Sequence, residues 1–163
     1  MTSQVLSEQL STGPVQAFIR LLQGHAAVTR VLSADLVRDH GLTINDYEAL
    51  LRLARADGHY LKRVELAESL VLTPSGVTRL LEGLERAGYV EKGSCETDAR
   101  ITYAVLTEAG HEKLEEASRS HTAQIRAFFG ERFADDELAT LAELLGRLPG
   151  TTGDDTDCAP PPE

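Results

Sequence analysis

Apolar residues recur at helical spacing from Pro14 to His40: Val15, Phe18, Ile19 and Leu22, then Val28, Val31, Leu32 and Leu36. That spacing lines one face of an α-helix. Pro14 suits a first helical position and Gly41 a C-terminal stop. The helix would run roughly 40 Å, at 1.5 Å per residue. A small core does not need that length, so part of the stripe is expected to face another chain. Thr43 reads as the N-cap of a second helix, with Asp46 three residues on and Tyr47, Leu50 and Leu51 as its apolar positions. Asp57-Gly58 ends it. A short third helix is expected from about Arg63 to Leu70.

Thr73-Pro74 predicts the start of a fourth helix that runs to Ala87 and stops at Gly88. Two β-prone stretches follow, Tyr89 to Lys92 and Ile101 to Leu106, with the polar Gly93–Arg100 between them as a hairpin tip. Thr107 caps a fifth helix that continues through Leu114, Ala117, Ile125 and Phe129. Phe133 to Leu148 predicts a sixth, striped by Leu138, Leu141, Leu144, Leu145 and Leu148. Residues 1–13 and 149–163 are expected to stay disordered, the latter rich in Thr, Gly, Asp and Pro. The fold class is therefore mainly α, with a small β-hairpin.

Composition narrows the function. The chain has 163 residues, 42% hydrophobic and 26% charged, which is ordinary globular usage. No apolar run reaches the ~18 residues of a membrane span, and Met1 to Leu10 lacks the features of a signal peptide. A cytoplasmic location and no membrane partner are expected. The net charge is −10, but eight of the ten excess charges lie after residue 107. The middle of the chain is nearly neutral and could approach phosphates if its bases gather on one face.

Two of these bases, Arg79 and Arg86, fall on one face of the fourth helix. At 100° per residue, Val77, Leu80, Leu81 and Leu84 share a narrow sector, while Ser75, Arg79, Glu82 and Arg86 lie opposite. A helix that reads a major groove needs short donors near its N-terminus and arginines that can bond guanine through two N–H groups. A solvated surface explains any one of these residues. The combination of short helix, tight turn, two-faced helix and hairpin points to double-stranded DNA.

The same residues resemble the MarR family of winged helix-turn-helix regulators. The resemblance rests on Gly41-Leu42-Thr43 with Tyr47 and Leu50, on Leu72 to Leu80, on Leu84 to Val90, and on Asp98, Arg100, Leu106-Thr107 and Gly110. It spans about residues 14–148. It implies a homodimer, with a dimerisation lobe built from residues 14–40 and 108–148 and a DNA-binding lobe from 41–107. By resemblance, Thr73, Ser75, Gly76, Thr78 and Arg79 would contact bases and nearby phosphates. Arg100 would enter the minor groove, oriented by Asp98. Lys62, Arg63, Arg86 and Lys92 would meet phosphates. The hairpin is less basic than family wings often are, so modest affinity with marked salt dependence is expected. The resemblance also implies a small aromatic or anionic effector, with Arg20, His25, Arg30, Tyr47 and Arg52 as candidate contacts.

Other chemistries find little support. His25, His40, His59, His111 and His121 show no pair three or four residues apart, so no metal or other cofactor is expected. Cys95 has Glu91 and Glu96 nearby, which disfavour a thiolate, and Cys158 lies in the tail. There is no glycine-rich phosphate loop and no nucleophile elbow, so an enzyme is not expected. The function expected is that of a dimeric repressor released from a pseudo-palindromic operator by a small ligand. The alternative is a helical dimer that works as a protein-interaction module.

Overall fold

The computed structural model describes residues 12–70, 72–94 and 101–149. The chain divides into two compact units, one up to Ile44 and one from Asn45 onward.

The first unit is dominated by α1 (Gly13–His40). Thr12 precedes it in an extended conformation and Pro14 sits in its first turn. Gly41 ends it with φ 70°, and the Gly41 N–H donates to the Val37 carbonyl at 3.0 Å. Only glycine adopts that backbone without cost, which is why the helix stops there. In the last turn Arg38 pairs with Asp35 and Asp39, both at 2.7 Å. Asp39 and then Asp35 hold the Arg38 guanidinium above its already high ordinary pKa. Only Leu32 and Leu36 of the long apolar stripe are buried; Phe18 is 60% exposed and Leu22 53%.

The second unit contains α2 (Ile44–Arg55), a 3-10 turn (Asp57–His59), β1 (Tyr60–Lys62), α3 (Arg63–Ser69) and α4 (Pro74–Arg86). These are followed by β2 (Val90–Ser94), β3 (Thr102–Leu106), α5 (Glu108–Gly130) and α6 (Asp135–Leu145). The strands form an antiparallel sheet in the order β1-β3-β2. Tyr60 lies opposite Val105, and Val90 opposite Leu106. Helix α3 packs on α4 and on the sheet. Leu50, Leu53, Leu66 and Leu81 are completely buried at the centre of this unit.

Three expectations change. The hairpin is an edge of a three-stranded sheet, because β1 closes the other side of β3. Helix α6 is shorter than Phe133–Leu148. Ala134 is extended and its N–H donates to Glu137 Oε2 at 2.9 Å, so the helix starts after it; the chain turns at Gly146. The first β-prone stretch is shifted and runs Val90–Ser94, since Tyr89 still belongs to the turn after α4. The hairpin tip, with Cys95, and the tail from residue 150 lie outside the described residues, as do residues 1–11.

Gly83 sits in the interior of α4, where a Cβ would meet nothing within 4 Å. A mid-helix glycine costs about 1 kcal/mol relative to alanine. Gly83→Ala is therefore expected to raise the unfolding free energy by that amount, read as a higher midpoint of urea unfolding. An unchanged or lower midpoint would contradict the open space seen here.

Candidate nucleic-acid interface

Thr73 sets the start of α4. Its Oγ1 accepts the Gly76 N–H at 3.1 Å, a side-chain N-cap, and Pro74 fills the first turn. Ser75 Oγ lies 3.2 Å from Thr73 Oγ1, and Thr78 Oγ1 donates to the Pro74 carbonyl at 2.9 Å. Both hydroxyls are thus held close to the helix N-terminus. Gly76 lies under Thr73; a Cβ there would come within 3.2 Å of Thr73 Oγ1.

The two faces of α4 are cleanly separated. Val77, Leu81 and Leu84 are buried, while Ser75, Thr78, Arg79, Glu82 and Arg86 are exposed. Ser75, Arg79, Glu82 and Arg86 fall within about 60° of one another around the helix axis, at 100° per residue. Arg86 Nε donates to the Glu82 carbonyl at 3.0 Å, which lays the guanidinium along the helix. Arg79 makes no hydrogen bond or ion pair among the described residues, so its five donors remain available. The exposed edge therefore runs from small hydroxyls and orphan backbone N–H groups to two guanidinium groups. Such an edge can bond to phosphate oxygens and base edges.

The other cations are more dispersed. Lys62 pairs with Glu65 at 2.9 Å beside α3, Arg63 is half-buried, and Lys92 is exposed on β2. Asp98 and Arg100 lie outside the described residues.

The candidate effector contacts fall in both units. Arg20, His25 and Arg30 are exposed on α1, in the first unit; Tyr47 and Arg52 are on α2, in the second. Tyr47 is buried, its hydroxyl 3.1 Å from Ser118 Oγ and its ring 4.7 Å from the buried His121 ring. Arg52 Nε is buried with no hydrogen-bond partner among the described residues. From sequence, His121 figures only among the histidines and Ser118 does not stand out, although both continue the Leu114–Ala117 stripe at helical spacing. Among the described residues no three His, Cys, Asp or Glu side chains cluster as a metal shell. Among the same residues no helix is long and apolar enough to cross a membrane.

Comparison with known proteins matches this geometry to one family. The model of the MarR family matches residues 40–101, from the end of α1 past β2. The HTH-type transcriptional repressor YetL of Bacillus subtilis is 28% identical over 139 residues, 85% of this chain and 82% of that protein. AbsC, a MarR family transcriptional regulator from Streptomyces coelicolor, superposes with a TM-score of 0.72 at 32% identity, covering 82% of this chain and 90% of that one. Sco3205, a MarR family regulator of the same organism solved in complex with DNA, gives 0.74 at 27% identity, covering 82% and 84%. With its winged helix-turn-helix fold and this level of identity to AbsC across nearly the whole of that chain, the protein belongs to the MarR family.

Proposed function

We propose that this chain is a DNA-binding transcriptional repressor that works as a homodimer, inserting α4 of each copy into successive major grooves of a pseudo-palindromic operator. The observation that carries the reading is the exposed edge of α4, with Ser75, Thr78 and Arg79 opposite the buried Val77, Leu81 and Leu84. The repressor name of YetL and the DNA complex of Sco3205 support it. In this reading Thr73, Ser75, Gly76, Thr78 and Arg79 meet bases and adjacent phosphates. Lys62, Arg63, Arg86 and Lys92 meet the backbone, and Arg100, oriented by Asp98, reaches the minor groove. The protein acts at the chromosome, in the cytoplasm.

Unpartnered apolar surface supports the homodimer. Phe18, Leu22 and Val31 on α1 are exposed, as are Phe133, Leu144 and Leu148 around α6, and α6 has no buried residue. Two copies related by a two-fold axis would present two reading helices about one turn of duplex apart. Release by a small anionic or aromatic effector fits the buried, unmatched Arg52 Nε, a donor that an anion would satisfy. A ligand that binds one spacing of the two heads better than the other shifts the population away from the DNA-bound form.

Fluorescence polarisation against duplex from the protein's own promoter tests the reading. Wild type is expected to bind that duplex more tightly than random duplex, with affinity falling steeply as salt rises. Arg79→Ala should cost about 1–3 kcal/mol, a ten-fold loss or more, and should relax preference at one base position. Equal affinity for promoter and random duplex at low salt would overturn the reading and favour a protein-interaction module.

A further inference from the structure

A groove of about 400 Å3 opens between α3 and α4. Val64, Leu72, Pro74 and Thr78 line it, with Arg63 and Glu68 as its charged members. We propose that this groove reads thymine: Val64 and the Thr78 methyl group receive the 5-methyl of a thymine in the major groove, so that Thr78 specifies its base through its methyl and not through its hydroxyl. The inference rests on the DNA-binding mode proposed above for α4 and adds a base and a contact to it.

The hydroxyl of Thr78 is already engaged. Its Oγ1 donates to the Pro74 carbonyl at 2.9 Å. A hydroxyl carries one proton, so that bond leaves none for an acceptor on a base edge. What remains to offer a base is the methyl, on a side chain that is exposed and belongs to the groove. Around the helix axis Thr78 stands about 60° from Ser75, at 100° per residue. The groove therefore continues the exposed edge of α4 toward α3, and a base beside that edge can reach both.

Val64 supplies the second apolar group. It is the second residue of α3 and 67% exposed, more than any other large apolar side chain among the described residues. The other exposed ones lie on α1 or around α6, where a second copy would cover them; Val64 lies beside α4 instead. The thymine methyl is the one wholly apolar group that a base pair presents in the major groove, so an apolar wall there favours thymine over the other three bases. Arg63 makes no hydrogen bond or ion pair among the described residues, and its guanidinium can hold a phosphate of the strand whose base enters the groove. Glu68 is exposed in the same lining and repels a second phosphate, which leaves the apolar wall to a base edge.

The test is fluorescence polarisation of the full-length protein on promoter duplexes whose thymines are replaced one at a time by deoxyuridine, which lacks only the 5-methyl. At one thymine of a half-site, uracil should weaken wild-type binding about four-fold, as loss of one buried methyl group does. Val64→Ala and Thr78→Ser should each bring the thymine-to-uracil ratio at that position below about two. Thr78→Val, which keeps the methyl and loses the hydroxyl, should hold the ratio near about four. Arg79→Ala should weaken binding to both duplexes and leave the ratio as it is. Circular dichroism confirms that each variant is folded. A scan with no sensitive thymine, a ratio unaltered by Val64→Ala, or a ratio kept by Thr78→Ser and lost in Thr78→Val would overturn the inference while promoter preference, and with it the DNA-binding reading, still stands. Equal affinity of wild type for promoter and random duplex would overturn both.

Discussion

Alanine at Gly110 is expected to lower stability by about 3 kcal/mol, the upper end of the usual cost of overpacking, and Tm by roughly 6–12 °C. A Cβ at this position would lie 2.1 Å from the Tyr89 carbonyl oxygen and 2.8 Å from Leu106 Cδ1. The first of these is backbone, which cannot rotate away as a side chain would. The same carbonyl accepts the Thr107 N–H at 3.1 Å. Thr107 Oγ1 donates to the Gly88 carbonyl at 2.7 Å and accepts the Gly110 N–H at 3.0 Å. One hydroxyl and one glycine thus fasten the turn after α4, the end of β3 and the first turn of α5. A methyl group forces these apart and strains several hydrogen bonds together. Thermal unfolding of Gly110→Ala monitored by circular dichroism checks this; a Tm equal to wild type would refute the close approach. Reduced DNA affinity should accompany the loss, since the clamp also fixes where α4 ends.

The second large effect concerns Leu22 and Leu144, which are 53% and 50% exposed. If the chain were a monomer, aspartate at these positions would change stability by no more than about 0.5 kcal/mol, as exposed substitutions usually do. If they meet a second copy, each aspartate is repeated by symmetry and buried unpaired, at several kcal/mol. Helix α6 gives the reason to expect the latter. It has 11 residues, none of them buried, and helices of that length are marginal in water on their own. Light scattering should find wild type as a dimer at micromolar concentration and Leu22→Asp and Leu144→Asp as monomers with weakened operator binding. A monomeric wild type, or variants that remain dimeric, would remove the basis for paired reading heads.

The two faces of α4 were legible because their signal is local. Thr73 and Pro74 mark the start of α4, and the split between Val77, Leu81, Leu84 and Ser75, Arg79, Arg86 needs only the helical period. Strand β1 escaped because three residues, Tyr60 to Lys62, carry too short a pattern; their pairing partners lie some 40 positions further on. The role of Gly110 also needed coordinates, since sequence placed it in a first turn without revealing the Tyr89 carbonyl beneath it. Ser118 and His121 continue the Leu114–Ala117 stripe at helical spacing, but that they meet Tyr47, some 70 positions earlier, needed coordinates.

The order of the sheet has a mechanical consequence. Strands β1 and β2 flank β3 and bracket the segment holding α3 and α4, so both ends of the helix pair are pinned to one strand. The anchorage falls at the start of α3 and just past the end of α4. A tilt of the α3–α4 pair as a whole would then have to strain β3 or carry the sheet along with it.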